Sequence, residues 1–204
     1  MNLNFSEFSA NQRYHLMTQT IIPRPIAWAL TDSTNGQLNL APFSYFTAVS
    51  SAPPILMLSV GNKPNGEKKD TLANVITDKR MVIHIASEHD ATLVTKTAES
   101  LPYGESELSA SGLKTVPFEG FSLPRLAQCD IAYGCELYEI KEIGDLPQSL
   151  IFMEIKQVYL NDSVINFDKK QRIKVHADKV KPLARLGGGE YASINKPFSL
   201  ARPK

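Results

Sequence analysis

Hydrophobic residues along this chain alternate with polar ones or gather in short runs bounded by Gly, Pro and Asn, and recur at helical spacing only briefly. Residues 22–31 open with Ile22-Pro23-Arg24-Pro25; the prolines forbid a helix there, and the run beyond them reads as a strand. Asn35-Gly36 tolerates positive φ and supplies hairpin chemistry, so 37–50 should hold the returning strand and a loop around Pro42. Pro53-Pro54 break the chain before a short, apolar, buried strand at 55–60. After a polar loop, 70–76 reads as a helix start with Leu72, Val75 and Ile76 on one face. The pattern then predicts a strand at 81–86, a helix at 91–99 and a long Gly-, Pro- and Ser-rich excursion at 100–124. Strands at 130–140 and 150–160 should join through Gly144-Asp145, with short strands at 164–167 and 172–175. Many strands joined by hairpins, with few helices and no regular βαβ units, predict a mainly β, antiparallel barrel.

Composition changes this picture little. A chain of 204 residues that is 43% hydrophobic and 21% charged can bury a real core as one domain, residues 1–204, with a C-terminal extension from about 176. A net charge of +1 predicts no general affinity for nucleic acid or anionic membranes. Apolar runs such as Ile55-Leu56-Met57-Leu58 are far too short to span a bilayer. The first residues lack the basic and apolar regions of a secretion signal, so a cytoplasmic location is expected. Cys129 and Cys135 fit neither a CxxC redox pair nor a zinc site, and on one strand would share a face; they read as buried thiols in a reducing compartment. Seven basic residues between Asp168 and Arg185 face two acids, Asp168 and Asp178. That cluster reads first as a solvated basic face, with phosphate reception as the alternative.

Hydrolytic chemistry has no foothold. There is neither a Gly-x-Ser-x-Gly elbow nor a His-Glu-x-x-His, and His15, His84, His89 and His176 show no metal-ligand spacing. His84, in an apolar strand, reads as a satisfied histidine rather than a ligand. Gly187-Gly188-Gly189 lacks the spacing and the preceding strand of a dinucleotide fold, and no P-loop is present. Two segments do carry chemistry. Asn39-Leu40-Ala41-Pro42-Phe43-Ser44-Tyr45-Phe46 offers a Pro-interrupted stretch with uncommitted backbone donors, a hydroxyl and aromatic walls. Lys68-Lys69-Asp70-Thr71 offers an ammonium, a hydroxyl and free N–H groups at a helix start, which together suit an anion. A ligand with a phosphate at one end and a flat, hydrogen-bonding ring at the other, such as FMN, would use both.

Taken in order, Arg24-Pro25-Ile26-Ala27-Trp28, the 39–46 segment, Pro53-Pro54, Lys69-Asp70-Thr71-Leu72 and Leu183-Ala184-Arg185-Leu186-Gly187-Gly188-Gly189-Glu190-Tyr191 resemble the flavin reductase-like family, in its longer, flavoredoxin-like branch. The resemblance implies an antiparallel Greek-key split β-barrel, non-covalent FMN and a homodimer with sites near the subunit interface. It implies that Asn39, Ala41, Pro42, Ser44 and Tyr45 lie along the ribityl chain and ring, that Ser59, Val60 and Gly61 border the same cleft, and that Lys69 and Thr71 meet the phosphate. Arg24 and Arg185 would serve either the cofactor or the dimer. The activity implied is NAD(P)H-dependent flavin reduction, with a monooxygenase or electron-transfer partner downstream; an electron carrier without its own NAD(P)H site is the alternative. No catalytic side chain and no metal are expected.

Overall fold

The computed structural model describes every residue except Ser100, Tyr103, Gly104, Asn195, Arg202 and Lys204. Part of the expected excursion at 100–124 thus lies outside the described residues. The first helix, α1 (Ala10–Thr20), precedes everything expected from the hydrophobic pattern. Only one of its residues, Thr18, is buried, so it has no apolar stripe to read; its signature is the capping box of Ser9 and Gln12, each side chain bonding the other's backbone N–H.

The strands follow as β1 (Arg24–Pro25), β2 (Ala27–Asp32), β3 (Leu38–Phe43), β4 (Phe46–Ser51) and β5 (Pro54–Val60). Then come α2 (Asp70–Asp78), β6 (Arg80–Ile85), α3 (Ala91–Lys96), α4 (Glu107–Ser111), and the short β7 (Thr115–Val116) and β8 (Arg125–Leu126). The long hairpin β9 (Ile131–Ile143) and β10 (Gln148–Leu160) turns at Gly144, whose φ of 83° bears out the expected turn. A second hairpin, β11 (Ile165–Phe167) and β12 (Ile173–Val175), leads through α5 (Ala177–Val180) to β13 (Ala184–Arg185) and β14 (Tyr191–Ala192). β13 pairs with β1, which ties the C-terminal segment to the start of the barrel.

The main sheet has seven strands in the order β3-β2-β6-β9-β10-β5-β4, all antiparallel. β3 and β4 stand at its opposite edges, yet only Ser44 and Tyr45 separate them in the chain. The sheet must therefore curl until its edges meet, and they meet at that dipeptide. The result is an antiparallel Greek-key barrel split between β3 and β4. Its concave face is filled by Ala27 and Ala29 of β2, Leu58 and Val60 of β5, Met81 and Ile83 of β6, Cys135, Ile151 and Met153, together with Leu72 and Val75 of α2. The alternate residues, Trp28, Leu30, Leu40, Val82 and Ala132, form a second cluster on the outer face. β2 is buried on both faces, which is why it reads as a continuous apolar run.

Three expectations are corrected. Pro42 lies within β3, opposite Trp28, rather than in a loop; β3 is a sheet edge, where the missing N–H breaks no ladder bond. The helix expected over 91–99 ends at Lys96. Cys129 precedes β9 and packs in the outer cluster, whereas Cys135 packs inside the barrel, so the two thiols share no face. Burial holds both in the neutral form, pushing Cys135 up to about 12 and Cys129 well above its usual value.

Candidate functional site

The seam of the barrel is where backbone donors and acceptors escape the sheet, and the chain builds its main cleft there. Ser44 and Tyr45 cross the seam. Ser59 N–H donates to the Tyr45 carbonyl at 2.8 Å, and Arg24 Nη1 donates to Ser44 Oγ at 3.0 Å. Arg24 is buried, and its Nη2 also donates to the carbonyls of Thr18 and Leu186. One guanidinium thus fixes the seam against α1 and the C-terminal segment. Below the seam, β5 alternates: Ser59 and Gly61 face the cleft, while the Val60 side chain points into the core at 1% exposure.

The resulting cleft holds about 550 Å³. Pro42, Phe43, Ser44, Tyr45, Ser59 and Lys69 line its inner part. Arg13, Tyr14 and Met17 of α1 line one side of its mouth, with Asp145, Leu146 and Gln148 of the β9–β10 hairpin also on its wall. The Tyr14 and Tyr45 rings lie 6.2 Å apart, tilted by 48°. Burial first, and Tyr14 second, push the Tyr45 phenol up, so it stays protonated at neutral pH and offers an O–H donor.

Behind Pro42, Phe43 and Lys69 a recess of about 130 Å³ continues, lined by Asn39, Ala41, Thr71 and the start of α2. Lys69 is the N-cap of α2 and makes no side-chain cap, so the first-turn N–H groups are left for a ligand. Its ammonium lies 5.7 Å from the centre of the Phe43 ring and forms no ion pair among the described residues. Burial alone pulls its pKa below the usual lysine value. Thr71 Oγ1 accepts from Asn39 Nδ2 at 3.1 Å, and Asn74 Nδ2 donates to Thr31 Oγ1, so α2 is locked onto β2 and β3. Carboxylates also line the recess, but two are already engaged. Lys63 pairs with Asp70 at 2.6 Å, and Glu107 Oε2 accepts the Leu40 N–H while burial raises its pKa. A cation with no ion-pair partner among the described residues, uncapped helix N–H groups and a flanking hydroxyl fit a phosphate; the larger cleft beside them, walled by aromatic rings, fits a flat ring.

Nine of the residues singled out from sequence therefore come together: Asn39, Ala41, Pro42 and Thr71 in the recess, Ser44, Tyr45, Ser59 and Gly61 in the cleft, and Lys69 in both, as is Pro42. Arg24, Val60 and Arg185 line neither. Arg185 donates to the Gly188 carbonyl, and its guanidinium lies 4.5 Å from the centre of the Tyr191 ring. The basic cluster of 168–185 also contributes nothing to either cavity. Sequence reasoning missed Arg13, Tyr14 and Met17, whose only signal was the capping box, and Lys63, Glu107, Leu146 and Gln148, which long-range folding brings in. Among the described residues no group of three or more His, Cys, Asp or Glu could hold a metal, and no helix is long and apolar enough to cross a membrane.

Solved structures resemble this chain over nearly its whole length. Component B of nitrilotriacetate monooxygenase from Bacillus cereus is 33% identical, with a TM-score of 0.88 and 98% of each chain covered. The 2-nitrobenzoate 2-nitroreductase NbaA of Pseudomonas fluorescens is 29% identical, with a TM-score of 0.87 over 100% of this chain and 96% of that one. A Shewanella frigidimarina protein named as a flavin reductase with a split barrel domain has a TM-score of 0.84, with both chains fully covered; at 17% identity it speaks to the fold alone. The flavin reductase like domain matches residues 17–174, more than half of the chain, and the chain belongs to the flavin reductase-like family.

Proposed function

We propose that this protein binds FMN non-covalently in the seam cleft and is an NAD(P)H-dependent flavin reductase. The observation that carries the reading is the juxtaposition of an aromatic cleft with the uncapped start of α2 at Lys69. The chemistry supplied by bound FMN is acceptance of a hydride from a reduced nicotinamide at ring atom N5, with onward transfer of the electrons. Lys69, Thr71 and the first N–H groups of α2 would hold the phosphate, and Asn39, Ala41 and Ser44 the ribityl chain. Tyr45, kept protonated by burial, would donate a hydrogen bond to the bound ligand, and Phe43 and Tyr14 would supply apolar wall around it. The cationic recess and the seam donors favour negative charge near the ring and so favour its reduced form.

A homodimer is part of the same reading. β4 is exposed along nearly its whole length at the sheet edge, and Val49, Ile21 and Ile22 are each about half exposed there or beside β1, an apolar margin that a second copy would cover. Similarity to a protein named as a monooxygenase component supports an oxygenase as the electron acceptor. Anaerobic stopped-flow mixing with NADH or NADPH tests the activity. Rapid bleaching of the bound flavin is expected; reduction by a protein donor alone would make the protein an electron carrier instead.

A further inference from the structure

The recess behind Lys69 is small, about 130 Å³, and α4 contributes Glu107 to its wall. Two bonds strap α4 to the outward edge of β3: Ser106 Oγ donates to the Leu38 carbonyl at 2.5 Å, and Glu107 Oε2 accepts the Leu40 N–H at 3.0 Å. They fix the Glu107 carboxyl, at 6% exposure, in the same recess as Asn39, Lys69 and Thr71. Glu107 forms no ion pair among the described residues. A buried carboxylate without a cation is costly to keep ionised. Burial, with a smaller contribution from the Asp70 charge, raises its pKa; the Leu40 N–H, its own backbone N–H and Lys63 offset only part of that rise. The charged groups facing it are few. Lys63 and Asp70 pair with each other at 2.6 Å, Lys69 lies on the recess wall, and Glu99 reaches it from the exposed stretch just beyond α3. Lys96 of α3 donates to the Ala110 carbonyl, β3 carries no titratable residue, and no histidine lines the recess. A phosphate within so small a space meets this carboxyl. Ionised, the carboxyl repels it; as a neutral acid the same group is an O–H donor.

We propose that Glu107 serves the phosphate as a neutral carboxylic acid, so that FMN binding takes up a proton at this residue and weakens as the pH rises. This deepens the FMN reading and rests on it. The proton comes from solvent, no covalent bond of the phosphate changes, and the carboxylic O–H of Glu107 donates to a phosphate oxygen. Where the free protein already carries the proton, affinity does not depend on it. Once Glu107 ionises in the free protein but not in the complex, each unit of pH raises the Kd about tenfold.

The test titrates flavin-free protein with FMN and with riboflavin across about pH 5 to 9, a range that spans the phosphate's own second ionisation near about 6. Binding is read by quenching of flavin fluorescence in wild type and Glu107→Gln. The amide keeps an oxygen for the Leu40 N–H and an N–H donor for the phosphate, but takes up no proton. In wild type the Kd of FMN is expected to rise about tenfold per pH unit over part of the range above the phosphate's ionisation. Glu107→Gln loses that slope, and at the alkaline end it binds FMN at least about tenfold more tightly than wild type. Riboflavin shows no such slope in either protein. Calorimetry of wild type in two buffers of different ionisation enthalpy, which needs no variant, is expected to show net proton uptake with FMN near about pH 7 and none with riboflavin. The same pH dependence of FMN affinity in both proteins, weaker FMN binding by folded Glu107→Gln at every pH, an equal slope for riboflavin, or no proton uptake by wild type overturns the proposal. Failure of the FMN reading shows separately, as wild type that binds neither flavin or binds the two equally at every pH.

Discussion

His84 looks chemically available in the sequence, but the fold has used both of its nitrogens. The Leu126 N–H donates to Nε2 at 2.9 Å, so Nε2 must be the unprotonated nitrogen and Nδ1–H donates to the Trp28 carbonyl at 3.0 Å. The ring is fully buried and staples β6 to β2 and β8, and burial pulls its pKa from 6.5 to about 4. The unfolded chain therefore binds a proton between those values that the folded chain refuses. Stability from this residue is complete above about pH 6.5 and is lost as the pH falls toward 4, on the order of 3 kcal/mol in all. Urea midpoints should fall on acidification through this window, and ring-nitrogen NMR should show no titration of His84 between pH 5 and 8. A midpoint near 6.5 would contradict the assignment. The sequence reading of a satisfied histidine was right, but which partners satisfy it depends on β8, forty residues downstream. Lys69 was legible for a local reason, since a Lys-Asp-Thr run marks a helix start wherever it falls. Val60 was not, because a buried strand gives no period from which to tell cleft face from core face.

Among the elements, the hairpins announced themselves through Asn35-Gly36 and Gly144, because a positive φ is demanded locally and few residues supply it. α1 stayed hidden because it lies on the surface with almost no buried face, leaving only its cap to mark it. Gly134 in β9 shows packing that no local pattern could indicate. A Cβ there would stand 2.6 Å from Cγ of the Phe121 ring, which comes from the segment crossing the outer face. That ring packs 5.8 Å from Phe118 against the outer core cluster, and the atoms met lie at its base rather than at its free end. Gly134→Ala should destabilise the protein by about 1–3 kcal/mol, read as a lower urea midpoint, with FMN affinity retained because the disturbed face is not the cleft. An unchanged midpoint would mean that Phe121 moves aside freely.

At the scale of the whole molecule, the ordering of the strands creates the site. A seven-stranded sheet whose two edges are consecutive in the chain has to close on its own linker, and that linker, Ser44-Tyr45, becomes the seam at which the cleft opens. Hairpin signals alone predicted an antiparallel barrel. They could not say that β3 and β4 would be opposite edges, since strand order is decided by the long-range pairings of β6 with β9 and of β10 with β5. The motif order supplied what local pattern lacked, placing 39–46 and 69–71 together at one ligand. The central claim is that the start of α2 holds the phosphate of a flavin whose ring lies in the seam cleft. The most direct measurement compares the Kd of FMN with that of riboflavin, which lacks the phosphate, by quenching of flavin fluorescence in wild type and Lys69→Glu. FMN should bind wild type at least about 100-fold more tightly than riboflavin, and Lys69→Glu should erase most of that difference. Equal affinities in wild type, or no binding of either flavin, would contradict the account.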